Sequence, residues 1–155
     1  MDLGSGAGFP GIVTAILLAD VPEAHVYFVE SNQRKAAFLR TALRETGSKG
    51  TVMPERIESV AQQWPHGKVD AVSARALASL AELLDYCHPF LAEGAVAVFH
   101  KGRDFQREID EASHAWSFDL VERTSLIDPE SRMLTLSSVS PRSNEAGSIK
   151  EGSHR

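Results

Sequence analysis

Cysteine is nearly absent from this chain: Cys87 stands alone among 155 residues. One thiol excludes an internal disulfide, and the reading places the chain in the reducing cytoplasm. Long apolar runs are lacking as well. The aliphatic stretches at 12–18 and 95–99 fall far short of the roughly 20 residues that a membrane-crossing helix needs. Positive charge is in deficit, with 16 Lys plus Arg against 21 Asp plus Glu and a net charge of −5. That balance excludes a nonspecific nucleic-acid binder, because phosphate affinity comes from clustered cations. Six histidines are present, but His25, His66, His88, His100, His114 and His154 show no metal-ligand spacing, so no metal is expected. No internal repeat breaks the chain up.

What is there reads as one globular domain. A hydrophobic content of 43% beside 24% charged residues is enough to bury a core at this length. The charge is unevenly spread. Between Gln33 and Gly50 lie Arg34, Lys35, Arg40, Arg44 and Lys49 against the single anion Glu45, a local basic surface or a solvated helix face.

Short apolar runs alternate with amphipathic stretches, the pattern of an α/β sheet. Strands are expected at 25–30, 51–57, 69–74, 95–99, 118–123 and 133–139, the last two antiparallel to each other. Helices are expected at 12–18, 33–46, 77–91 and 104–115. Gly47 is placed to end the second helix, whose buried face is read as Phe38, Leu39, Ala42 and Leu43. Asp104 suits an N-cap, and Pro54 puts its strand at a sheet edge.

The most informative run is Asp2-Leu3-Gly4-Ser5-Gly6-Ala7-Gly8-Phe9-Pro10-Gly11. Glycines there turn with positive φ and admit a ligand where a Cβ would stand, and Pro10 suits a helix start. The arrangement describes a pocket for an adenosine-type cofactor, with helix-start amides facing it. Glu30, at the end of the next strand, sits where an acidic side chain accepts hydrogen bonds from ribose hydroxyls. Gly6 to Gly11 also satisfies the Gly-x-Gly-x-x-Gly dinucleotide pattern, with Glu30 near the expected spacing. A nicotinamide-dependent oxidoreductase therefore stays open at this point, as does a non-catalytic nucleotide-binding or ribosome-interaction module. Asp2 and the bulky Phe9 count against the dinucleotide reading. Cys87 beside His88 makes no convincing nucleophilic pair, since adjacent helix residues project in different directions.

Further segments follow in order: Val-Glu-Ser-Asn-Gln-Arg-Lys-Ala-Ala-Phe-Leu-Arg at 29–40, Glu-Arg-Ile-Glu at 55–58, Ser-Ala-Arg-Ala-Leu-Ala at 73–78 and Lys-Gly at 101–102. Taken with the glycine run, the chain from Asp2 to about Arg142 resembles the 16S ribosomal RNA guanine-N7 methyltransferase family called RsmG or GidB. The resemblance implies a Rossmann-like class I methyltransferase fold, a mostly parallel sheet with helices on both faces. It implies S-adenosyl-L-methionine as cofactor and 16S rRNA, or the small ribosomal subunit, as partner of a monomer. Position by position, it puts Gly4, Gly6 and Phe9 against the donor in the loop, and Asp2 at its amino-acid end. Glu30 takes the ribose, Ile57 and Glu58 lie beside the adenine, and Arg75 completes the pocket from a strand end. Lys101 and Arg103 are candidates for RNA phosphate. No catalytic acid or base is assigned, because guanine N7 carries a lone pair and no proton.

Only Met1, Asp2 and Leu3 precede Gly4, whereas a strand runs about five or six residues. The expectation is a methyltransferase domain at 1–140 with its first strand truncated and an upstream helical region missing. Pro141 to Arg155 is expected to be a disordered tail.

Overall fold

Apolar residues at a period of two on short strands, and at a period near 3.6 between them, decide the architecture. The computed structural model describes residues 1–143; of the tail expected over 141–155, residues 144–155 lie outside the described residues. In chain order the elements are β1 (Asp2–Leu3), α1 (Gly11–Leu17), β2 (Val26–Val29), α2 (Gln33–Thr46), β3 (Gly50–Met53) and α3 (Ile57–Gln62). They continue as β4 (Ala71–Arg75), α4 (Leu80–Ala92), β5 (Val96–Lys101), α5 (Phe105–Ala112), β6 (Trp116–Thr124) and β7 (Arg132–Pro141).

The strands form one seven-stranded sheet in the order β3-β2-β1-β4-β5-β7-β6. β1 to β5 run parallel, and β7 lies antiparallel to both β5 and β6. The order reverses at β1, whose neighbours are β2 on one side and β4 on the other. In open α/β sheets the crevice beyond the carboxyl ends of the strands at such a reversal is where ligands sit.

Helices cover both faces, as the alternation of β2 requires. Val26 and Phe28 join Ala15 of α1 and Leu39 and Leu43 of α2 in one cluster. Val29 instead joins the larger cluster of Val60 from α3, Leu80, Leu83 and Leu84 from α4, and Phe99 from β5. Phe28 is fully buried, worth about 1.5–3 kcal/mol on its own. Its ring demands a close approach: a Cβ built on Gly11 would stand 2.6 Å from Phe28 Cε1. Gly11 is therefore the residue that lets α1 lie against β2.

Several local signals act as read. Gly47 ends α2 in the left-handed conformation at φ 64°, and β3 occupies a sheet edge. Others differ for identifiable reasons. Ile57 does not continue a strand but opens α3, because the chain leaves the sheet at Pro54. Phe38 is 52% exposed; Ala36 takes the buried position one turn before Leu39 and two turns before Leu43. Asp104 stands at the N-cap of α5 without a capping side-chain bond. α4 begins at Leu80 rather than 77, where Ser79 and Glu82 make a reciprocal capping box. β7 reaches Pro141, and the Arg142 N–H donates to the Ala115 carbonyl at 2.8 Å.

One ion pair fastens α5 to the sheet. Lys101 Nζ lies 2.6 Å from Glu108 Oε2, with side chains 6% and 19% exposed. The same oxygen accepts the first α4 amide, Leu80 N–H, at 2.7 Å, and Lys101 also donates to the Ala78 carbonyl. Removing one member strands a buried charge. Glu108→Ala is expected to destabilise the chain by roughly 3–5 kcal/mol, read by urea unfolding. The double replacement Lys101→Met with Glu108→Leu should recover most of that loss, and a double variant as unstable as the single one would refute the assignment.

Candidate functional site

The loop after β1 carries three glycines at positive φ: Gly4 at 58°, Gly6 at 53° and Gly8 at 90°. Ser5 N–H ties it to β2 by donating to Val29 O at 3.2 Å, and Gly8 N–H turns it on itself by donating to Ser5 O at 2.7 Å. Gly6 is the position that needs glycine for its backbone rather than for space. A Cβ there would meet nothing closer than 3.7 Å, but φ of 53° is costly for any branched side chain.

Glu30 closes the loop. Its Oε1 accepts the Gly6 N–H at 2.8 Å and its Oε2 the Asn32 N–H at 3.1 Å. Asn32 in turn caps α2 by accepting the N–H groups of Arg34 and Lys35, each at 3.1 Å. Glu30 is only 8% exposed, yet a carboxylate has about four acceptor positions, so hydroxyl donors still find lone pairs there.

Beside it opens a cavity of about 310 Å³ lined by Gly4, Gly6, Glu30, Ile57, Glu58 and Leu77 among others. Five of the expected site residues thus meet on one wall. Three do not line it. Phe9, 54% exposed, stands under the Arg75 guanidinium at 5.8 Å from ring centre to Cζ. Arg75 lines a second cavity of about 620 Å³ together with His100 and the β6–β7 connection. Asp2 lies beneath the loop.

Asp2 is 1% exposed. Its Oδ1 accepts the Ser73 hydroxyl at 2.6 Å, tying β1 to β4, while Oδ2 is buried without a hydrogen-bond partner. Burial pushes its carboxyl above the usual range, and the Ser73 hydrogen bond opposes that push. Burial, with help from Arg75, holds His100 below the ordinary histidine value.

The two cavities share Ala76 and Ala78. Ala76 follows Arg75 with φ of 49°, a conformation that side-chain-bearing residues adopt at a cost. No sequence signal marked it. Ser73 was likewise missed, although its place opposite Asp2 in the parallel register follows once β1 and β4 are paired.

Lys101 corrects an expectation: buried against Glu108, it is withdrawn from any phosphate. Arg103 remains exposed and lies 3.7 Å from Glu130. Burial pushes the Cys87 thiol up to about 12, which removes it as a nucleophile at neutral pH. Among the described residues, no group of three or more His, Cys, Asp or Glu could hold a metal ion. No described helix is long and apolar enough to cross a membrane.

Comparison with known proteins bears on this geometry. The family model GidB, described as rRNA small subunit methyltransferase G, matches residues 1–134. Ribosomal RNA small subunit methyltransferase G of Rhizobium meliloti (strain 1021) is 53% identical over 145 residues, covering 92% of this chain and 67% of the relative. The protein of that name from Sinorhizobium medicae (strain WSM419) is 50% identical over the same shares. The chain thus spans about two thirds of the length of these curated relatives. Among solved structures, the ribosomal protein L11 methylase of Lactobacillus delbrueckii subsp. bulgaricus superposes with a TM-score of 0.64 at 17% identity, covering 92% of this chain and 69% of that one. An rRNA methylase from Streptococcus thermophilus gives 0.61 at 12% identity, covering 88% and 84%. Those likenesses establish the Rossmann-like class I methyltransferase fold.

The buried Asp2 makes a pH test available. Its proton is held more tightly in the folded chain than in the unfolded one. Its contribution to stability is therefore complete below the unfolded value and is lost as pH rises through the raised folded value. Asp2→Asn is expected to gain on the parent as urea unfolding is repeated from acid toward neutral pH. A difference that stays constant across that window would place Asp2 in a solvated environment.

Proposed function

The chain belongs to the GidB family, rRNA small subunit methyltransferase G, and we propose that it methylates N7 of a guanine in 16S ribosomal RNA with S-adenosylmethionine as donor. The carrying observation is the Glu30 carboxylate, which holds the glycine loop through Gly6 and faces the cavity shared with Ile57 and Glu58. The residues present fit such a group. About 310 Å³ is within the range of small-molecule sites, and the glycine backbone at Gly6 leaves open the space that a Cβ would partly fill.

S-adenosylmethionine, when bound, supplies a methyl group on a positively charged sulfur. Glu30 accepts the ribose hydroxyls, Ile57 offers an apolar face to the adenine, and Glu58 accepts from its edge. Gly4 and Gly6 let the loop approach, with Phe9 and Arg75 bounding the pocket on the side of the second cavity. Asp2 acts from below, fixing the loop's origin against Ser73. Guanine N7 carries an in-plane lone pair and no proton, so the chain needs no general base. Its work is to align two reactants, which alone can supply several kcal/mol of the barrier. We extend the same proposal to a reaction in the cytoplasm on a single copy of the chain.

Arg34, Arg40 and Arg44 are exposed along α2 and make no ion pair among the described residues, so they offer a phosphate-facing surface. Lys35 lines the smaller cavity.

Glu30→Ala is expected to weaken S-adenosylmethionine binding by roughly 1.5–3 kcal/mol, the worth of a charged hydrogen bond, measured by calorimetry. Arg75→Ala should reduce labelled-methyl transfer to small ribosomal subunits. Undiminished donor affinity with Glu30→Ala, or tighter binding of NAD than of S-adenosylmethionine by the parent, would overturn the reading. Reversing Arg34, Arg40 and Arg44 to Glu should lower RNA affinity at low salt, and the deficit should shrink as salt rises. Equal affinities at low salt would assign those arginines to solubility alone.

A further inference from the structure

The most exposed large apolar side chains of the described residues are adjacent. Leu126 is 104% exposed and Ile127 95% exposed, at the tip of the β6–β7 hairpin. The tip is not a floppy loop. Ser125 Oγ accepts the N–H groups of Ile127 and Asp128, both at 3.3 Å, and Ser125 N–H reaches the Ser131 carbonyl at 3.0 Å. Arg132 staples the far side, donating to the Pro129 carbonyl at 2.7 Å while its guanidinium stacks 4.6 Å over the Phe105 ring. Two aliphatic side chains are thus held out into water by a built frame.

The surroundings say what the tip meets. Leu126 and Ile127 line the 620 Å³ cavity together with Arg75 and Arg123, and neither arginine makes an ion pair among the described residues. Of the nearby anions, Glu130 is paired, and Asp128 keeps its charge but is outnumbered by Arg75, Arg123 and Arg132. Asp128 accepts from Ser131 Oγ and Glu130 N–H, and Glu130 lies 3.7 Å from Arg103. An apolar tip beside arginines that have no carboxylate partner suits a polyanion that also presents flat apolar faces, which is a nucleic acid. In A-form RNA the groove that exposes guanine N7 is deep and narrow, closed to side chains. Chemistry on a stacked base therefore requires that it leave the stack. Proteins that unstack bases insert aliphatic wedges at the step.

We propose that Leu126 and Ile127 form an RNA wedge, which occupies the stack position vacated as the acceptor guanine turns out into the cavity beside Arg75. The proposal rests on the RNA methylation reading and adds the device that delivers the base. The hairpin frame resists the insertion load, and Arg123 draws the flanking phosphates toward the tip.

The test uses the whole chain and two RNA probes carrying 2-aminopurine next to a guanine: a base-paired hairpin and an unstructured single strand. Binding is read by anisotropy and unstacking by 2-aminopurine fluorescence. The parent is expected to bind both and to raise hairpin fluorescence several-fold. Leu126→Ser with Ile127→Ser should keep the parent's thermal unfolding midpoint and its low-salt affinity for the single strand, yet lose the hairpin fluorescence rise. Arg123→Glu should lower affinity in a salt-dependent way while the hairpin that does bind still brightens. A double variant that brightens the hairpin as the parent does overturns the wedge. A parent that binds RNA without brightening the hairpin overturns the wedge and leaves the RNA reading standing. A parent that binds neither probe overturns both.

Discussion

The carboxylate of Glu30 is the constraint on which the ligand end of the sheet depends. It is nearly buried, and a buried carboxylate is tolerable only with hydrogen-bond donors around it. The donors it finds are backbone amides of two separate segments, Gly6 before α1 and Asn32 before α2. One side chain therefore sets the glycine loop and the start of the basic helix against each other. The left-handed conformation of Gly6 turns its N–H toward β2, and only a residue without a Cβ adopts it at little cost. Loop sequence and strand-end acid form a single device, each without use alone.

Glu30 can act this way only because β2 is immovable. Phe28, two residues before it, is fully buried and has Gly11 on one side and Gly50 on the other, so tight that a Cβ on either would sit within 2.7 Å of its ring. On the other side of β1, Asp2 and Ser73 fix the strand to β4. Hydrophobic packing thus holds the strand ends, and the polar groups beyond those ends inherit their positions from it.

The same logic explains what was readable in the sequence. Local chemistry was legible wherever one residue type has one physical reason to be there: Gly47 ending α2, Pro54 at the edge strand, Glu30 after β2. The antiparallel pairing of β6 and β7 was read from two consecutive strand-like runs at the end of the domain. Legibility failed where tertiary context chose between options that the local pattern leaves equal. Ile57 suits a strand or a helix, and the departure of the chain from the sheet after Met53 made it helical. Phe38 and Ala36 both fit an apolar stripe on α2, and the sheet selected the smaller. Lys101 ends a strand as a surface lysine would, but Glu108, seven residues on, draws it inward. The positive φ of Ala76 has no local signature, since alanine is not a residue type that favours that conformation.

Charge divides the two cavities, and that division argues for the direction of the chemistry. The smaller one gathers Glu30, Glu55 and Glu58 against Lys35 and Arg56, and Arg56 is itself drawn to Glu58 at 3.8 Å. The larger one gathers Arg75, Arg123 and Arg132 against Asp128 once Lys101 and Glu108 have cancelled each other. A donor that bears hydroxyls and positive charge is favoured in the first, whereas a phosphate chain is favoured in the second and repelled by the first. The wall between them is the strained Ala76 and its neighbour Ala78, which have the smallest side chains that still carry a Cβ. A bulky residue at either position would separate the reactants that the two cavities are proposed to hold. Under that proposal small size at the wall and opposite charge on its two sides serve one requirement: two ligands of unlike charge must meet at a point where neither is held in the other's place.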